Sequence, residues 1–197
     1  MKIFIFFVIL SNFVFANNNK IGVTLGSASL EGEAVNVTAL DYHRFLKEFS
    51  ILGGNLRFGL GPRLSIITSD EFAIYKDEEA LKDVNVMSLN AAIYSEYNYN
   101  DFSLGFNIDF LGLSRGDSSE VVGSSEEVDP ITTNILLGGK SDRGTLNSEF
   151  WFGYNLDAFT LRAGMAHVVT EYEGDNPTNK KRQRFFDTFF ISGQFSF

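Results

Sequence analysis

The sequence predicts an all-β protein: an eight-stranded antiparallel up-and-down transmembrane β-barrel, made with a cleaved N-terminal signal peptide. Three observations predict it. Hydrophobicity alternates with a period of two along most of the chain. The alternating segments are joined by connections that are short and long in turn. Beyond the first sixteen residues no apolar run is long enough for a membrane helix, which needs about 20 residues.

Composition narrows the class further. The chain has 197 residues, a formal net charge of −9, 21 Phe and no Cys. Without Cys there is no disulfide framework and no thiolate metal site. An acidic chain lacks the basic footprint of a nucleic-acid binder, so no nucleic-acid partner is expected. No cofactor and no metal are expected either, because two distant His are too few soft ligands.

Residues 1–16 read as an export signal. Lys2 precedes the apolar run Ile3–Leu10, and the small residue Ala16 precedes the polar Asn17-Asn18-Asn19. A positive start, a short apolar core and a small residue before a polar stretch are the signal-peptide pattern. Residues 17–197 are then the barrel domain, with no further domain expected beyond it.

Eight segments alternate: 20–29, 34–46, 51–68, 85–99, 102–113, 145–156, 159–170 and 185–197. A tilted strand crosses hydrocarbon in about 9–11 residues, so each suffices. The second is the weakest, because Asp41-Tyr42-His43-Arg44 puts charge on both faces. The connections at Lys47–Ser50, Asn100-Asp101 and Asp157-Ala158 are short. Those at 29–33, 69–84, 114–144 and 171–184 read as longer loops.

The polar face separates a membrane barrel from a soluble one. A water-facing sheet would carry Lys, Glu and Thr in its strand middles. Here the lysines beyond the signal fall at strand ends, turns or loops, and one strand face carries Gly, Ser, Asn and a few charges of both signs. That suits the interior of a narrow barrel, which in eight-stranded examples side chains fill. The other face is Phe, Leu, Ile and Val, which suits lipid. Tyr42, Tyr97, Tyr99, Phe102, Tyr154, Phe159 and Phe195 lie near strand ends, where an aromatic girdle is expected.

The chain ends Phe185-Phe186-Asp187-Thr188-Phe189-Phe190-Ile191-Ser192-Gly193-Gln194-Phe195-Ser196-Phe197. This resembles the terminal strand of bacterial outer-membrane barrels. The segment Asn55–Leu64 (NLRFGLGPRL) is similar to strands of small barrels of the OmpA, OmpX and OmpW type. The resemblance implies a Gram-negative outer-membrane location, contact with outer-membrane lipid and lipopolysaccharide, and a monomer. It also implies that Phe189, Ile191, Phe195 and Phe197 form the signal read by the outer-membrane assembly machinery.

Alternation puts Arg57, Arg63, Glu96, Asp109, Glu149 and Arg162 inside the barrel, with Asp41 and His43 as further candidates. Charges in a dry interior must pair, so a network is expected there. The expected function is a structural or surface-interaction role with no catalytic site. Three alternatives stand beside it: a narrow porin-like passage, a lipid A-modifying enzyme using His43 or His167, and an adhesin using the 114–143 loop, which begins at Arg115-Gly116-Asp117. Against the enzyme, Val169 and not Ser stands two residues after His167. His43 shares a face with Asp41 and is placed to see Ser65 or Ser88. Most acids lie in the long connections, and Lys180, Lys181, Arg182 and Arg184 precede the last strand, suited to anionic lipid head groups.

Overall fold

The computed structural model describes residues 18–30, 33–73, 80–137, 143–174 and 182–197. Among the described residues there are eleven strands: β1 (Asn19–Leu30), β2 (Glu33–Ile51), β3 (Gly54–Ala73), β4 (Ala80–Tyr99), β5 (Phe102–Gly116), β6 (Ser119–Val121), β7 (Glu127–Pro130), β8 (Thr133–Ile135), β9 (Leu146–Leu156), β10 (Phe159–Gly174) and β11 (Arg182–Ser196). Eight of them close a ring in the order β1-β2-β3-β4-β5-β9-β10-β11, every neighbour antiparallel. First and last strands join from Lys20↔Ser196 to Ser27↔Phe189. Closure leaves no edge, so the wall's backbone donors and acceptors are satisfied within the sheet.

The turns at one end follow from local chemistry. Leu52 and Gly53 both have positive φ (50° and 78°), the pattern of a two-residue hairpin turn that matches strand twist. Asn100 (52°) and Asp157 (51°) supply the same left-handed residue to the next two turns, and Asn and Asp tolerate it best among non-Gly residues. The first turn lies beyond the expected Lys47–Ser50, which are strand residues of β2. A bulge between Phe45 and Lys47 shifts the register there and extrudes Leu46, which is how the alternation was lost to sequence reading.

The opposite end corrects three of the expected loops. Only residues 31 and 32 separate β1 from β2. β3 and β4 stay paired out to Ala73↔Ala80, so most of 69–84 is hairpin. β10 and β11 stay paired to Tyr172↔Arg182. The 114–144 segment also contributes short strands to the wall. β5 pairs with β4 as far as Gly116, and β6 then takes over beside Lys82 and Leu81. β7 pairs with the end of β10, β8 with the end of β5, and β9 follows below them. Thus β7, β8 and β9 together fill one strand position, interrupted between Ile135, where β8 ends, and Leu146, where β9 begins. Asn134 ties that interruption: its amide donates to Asn90 and Ser114 (both 2.8 Å), and its oxygen accepts from the Thr145 N–H (2.8 Å).

Side chains sort cleanly across the wall. The exterior carries Ile21, Val23, Leu25, Leu60, Leu89, Ile93, Leu104, Phe106, Phe150, Phe152, Leu161, Ile191 and others, each roughly half exposed. Near the short-turn end the exposed aromatics Tyr99, Phe102, Tyr154, Phe159 and Phe195 form a girdle. Beyond Asp109 a second bulge leaves Phe110 without a register partner, so Leu111 and Leu113 face out and Ser114 faces in. The interior divides in two. Its half near the short turns is polar. Its other half is an apolar cluster that includes Val35, Val37, Ile67, Leu81, Val86, Val121, Val128, Val168 and Phe186.

Replacing Phe152, mid-belt on β9, with Arg is expected to cost about 2–4 kcal/mol of folding free energy in lipid vesicles. Val122→Arg, in an exposed turn, is expected to change it by less than about 0.5 kcal/mol. Chemical unfolding in vesicles measures both.

Candidate functional site

The interior polar side chains come from every ring strand, because inward positions recur at every second residue. Near the short turns, Lys20 on β1 bonds both oxygens of Glu96 on β4 (2.9 and 2.7 Å). Asn98 adds a bond to the same carboxylate (2.9 Å), and Arg57 approaches it at 4.0 Å. The Arg57 guanidinium also lies 4.0 Å over the Phe45 ring, a cation–π contact, and its Nε lies 3.6 Å from the Glu48 carboxylate.

A second layer crosses the barrel middle. Asp41 on β2 binds His43 (2.7 Å), Arg162 on β10 (3.3 Å) and Gln194 on β11 (3.3 Å). Arg162 also donates to Ser192 (2.7 Å) and lies 4.7 Å over the Trp151 ring. His43 stacks on Tyr94 with centroids 3.5 Å apart. On the other side Arg63 donates to Glu149 and to Asn107, and Asn107 donates to Glu149 (2.7 Å). Asp109 accepts from the Asn90 side chain (2.7 Å) and the Asn147 backbone (3.0 Å).

All six side chains expected in the lumen point into it: Arg57, Arg63, Glu96, Asp109, Glu149 and Arg162. Sequence reading missed Lys20, which it put at a strand end, and missed the amides of Asn90, Asn107, Asn147 and Gln194 as partners. The signal for Lys20 was present: it shares a strand face with Gly22 and Thr24, both buried inside. The layer is neutral overall, with Lys20, Arg57, Arg63 and Arg162 against Asp41, Glu96, Asp109 and Glu149. His43 does not engage the expected serines: Ser65 and Ser88 bond each other at 2.7 Å.

Other expected residues have different surroundings. Arg115 and Gly116 are paired strand residues of β5, opposite Met87 and Val86, and Asp117 is bonded to Asn85. Two of the tripeptide's residues are therefore in the wall, and Asp117 follows directly on the end of β5 at the rim. Glu171, counted among loop acids, is buried, and its carboxylate accepts from the Gly144 N–H (2.8 Å). Phe189, Ile191 and Phe195 face outward on β11. Phe197 pairs with Asn19 through its backbone at the chain end. Lys180 and Lys181 lie outside the described residues; Arg182 and Arg184 are paired strand residues opposite Tyr172 and Thr170. Among the described residues no group of three or more His, Asp or Glu is arranged to hold a metal ion.

On the exterior, three adjacent strands carry outward residues in common ranks. Phe152, Ala163 and Ile191 form one rank on β9, β10 and β11, and Phe150, Met165 and Phe189 the next. The rank after that is Ser148, His167 and Asp187. His167 Nδ1 lies 2.8 Å from the Asp187 carboxylate.

No protein-family model matches the chain, and no curated protein is similar to it. The crystal structure of the outer membrane enzyme PagL is similar over 88% of this chain and 97% of that one, at 8% identity and a TM-score of 0.47. The backbone structure of the Yersinia pestis outer membrane protein Ail in a phospholipid bilayer nanodisc is similar over 91% of this chain and 98% of that one, at 12% identity and a TM-score of 0.35. The chain is a small eight-stranded barrel on its own strand pairing, whatever its neighbours.

Removing one member of the Arg63–Glu149 pair strands a buried charge. Arg63→Met is expected to destabilise the barrel by about 3–5 kcal/mol, and adding Glu149→Leu is expected to recover much of that loss. Urea unfolding of the two variants measures the coupling.

Proposed function

We propose that the protein is an outer-membrane β-barrel of a Gram-negative bacterium that works from its surfaces, in a structural or surface-interaction role, and not as a conduit. The observation that carries this reading is the filled lumen. Side chains from opposite walls meet across the middle: Arg162 reaches Asp41, and Lys20 reaches Glu96. Above them an apolar cluster occupies the other half of the interior. A hydrated ion would have to break paired charges and then cross a layer of Val, Leu and Phe, which offers it no ligands.

The exterior supports the membrane placement. A closed sheet with an apolar outside and a polar inside inverts the arrangement of a water-soluble barrel. Short turns at one end and longer hairpins at the other support a periplasmic short-turn end. The outer rim is acidic: Asp70, Asp83 and Asp117 surround a recess between β2, β3 and β4. Such a rim stays solvated and discourages anionic neighbours.

Planar-bilayer recording tests the reading. The purified barrel is expected to leave the bilayer at baseline conductance under applied voltage. Steady ion currents that vanish with Arg63→Ala would establish a passage and contradict it.

A further inference from the structure

The polar rank on β9, β10 and β11 is out of place on a lipid-facing wall. On the short-turn side of it stands the apolar rank of Phe150, Met165 and Phe189. On its other side the outward positions Leu146 and Val169 are buried (4% and 9% exposed) instead of meeting solvent or lipid. Glu171, one position further along the same outward face, is fully buried and holds the Gly144 backbone. Ser148, His167 and Asp187 therefore lie in a step between the lipid belt and a covered shelf of protein.

We propose that Ser148, His167 and Asp187 form an ester-hydrolysing site on the outside of the barrel, whose substrate is an ester-linked acyl chain of a membrane lipid. The order across the sheet is acid, imidazole, hydroxyl, with each outer member directly opposite the imidazole in register. Directly opposite residues of antiparallel strands have Cβ atoms about 4.5–5.5 Å apart, the spacing at which a serine hydroxyl and an imidazole can bond. The nitrogen held by Asp187 is Nδ1, so Nε2 acts as the base, the division of roles in a Ser-His-Asp triad. The His167 and Asp187 side chains are 48% and 61% exposed, so substrate can reach them. Depth selects the substrate. An acyl chain lying along Phe150, Met165 and Phe189 brings its ester, at the border of chain and head group, level with the Ser148 hydroxyl.

In the first step the Ser148 oxygen attacks the ester carbonyl while its proton passes to His167 Nε2. The tetrahedral intermediate collapses, the lipid alcohol leaves, and His167 returns the proton to it. Water then attacks the acyl-serine, giving its proton to His167. Collapse releases the fatty acid, and the proton returns to Ser148. Ser148 and His167 are the catalytic residues. Asp187 is a positioning residue that holds the imidazole by Nδ1.

This proposal rests on the membrane placement proposed above, so its test has an arm that needs no bilayer. The purified folded barrel in detergent micelles is treated with a fluorophosphonate and, separately, with p-nitrophenyl hexanoate. Ser148 is expected to carry the label by mass spectrometry. Ser148→Ala and His167→Asn are each expected to lower ester turnover by about 100-fold or more. Asp187→Asn is expected to lower kcat with KM unchanged, and Asp187→Glu to restore part of it. All three positions are on the wall's outside, and the sheet signal in circular dichroism confirms that each of the four variants is folded. No label on Ser148 in the folded barrel, or undiminished turnover in Ser148→Ala, overturns the site. Fatty acid released from phosphatidylethanolamine vesicles or from purified lipopolysaccharide supports the lipid substrate and tells which source supplies it. Release from neither, with the micellar ester still hydrolysed, overturns the lipid assignment while leaving the serine chemistry standing. Bilayer conductance stays outside both arms, so a failed lumen reading is told apart from a failed site.

Discussion

Hydrocarbon offers no hydrogen bonds, and that single constraint organises the molecule. Every N–H and C=O that lies in the lipid must find a partner in the chain itself. A β-strand can do so only with neighbours on both sides, so the sheet must close. The pairing of β1 with β11 is the joint on which closure depends. The rest of the wall adjusts to it. Bulges at Leu46 and Phe110 absorb residues that would spoil the match between strands, and each flips the sense of the side chains that follow. Even the long segment after β5 lends the wall three short strands, β6, β7 and β8.

Closure at eight strands then dictates the interior. The ring is too narrow to hold a channel of bulk water, so inward side chains must satisfy one another. Half of the lumen does this with charge, pairing Lys20 with Glu96, Arg162 with Asp41 and Arg63 with Glu149. Backbone and side-chain amides satisfy Asp109. The other half does it by exclusion, with Val, Leu and Phe that have nothing to satisfy. Gly105 shows how tight the fit is: a Cβ there would lie 2.0 Å from the Trp151 ring. With the lumen so occupied, chemistry and recognition are left to the outer wall and the exposed rim.

The sequence made the architecture legible because period-two alternation survives lipid on one side and a packed lumen on the other. The middle strand of doubt, Asp41-Tyr42-His43-Arg44, is a strand after all. Its charges looked misplaced only because Asp41 and His43 face the lumen while Arg44 is exposed on the outer side of the wall. What stayed illegible has a common cause. Residues 114–144 are rich in Gly, Ser and acids and break into runs of three or four strand residues, too short for alternation to register. The partners of the lumen charges were illegible too, since asparagines carry no charge to count. The exterior trio was hidden for a related reason. A search along β10 for a serine near His167 meets Val169, whereas Ser148 reaches the same rank from β9, and only register reveals it.

The side of the wall that meets lipid is the claim on which all else stands, and the chain's single tryptophan allows it to be read directly. Trp151 is fully buried in the lumen, while its neighbour Phe152 points outward. In vesicles containing brominated lipids, Trp151 fluorescence is expected to be nearly unquenched. A Trp151→Phe, Phe152→Trp variant moves the indole one residue along the strand and is expected to be strongly quenched. Quenching of the native tryptophan with sparing of position 152 would turn the sheet inside out and contradict the account.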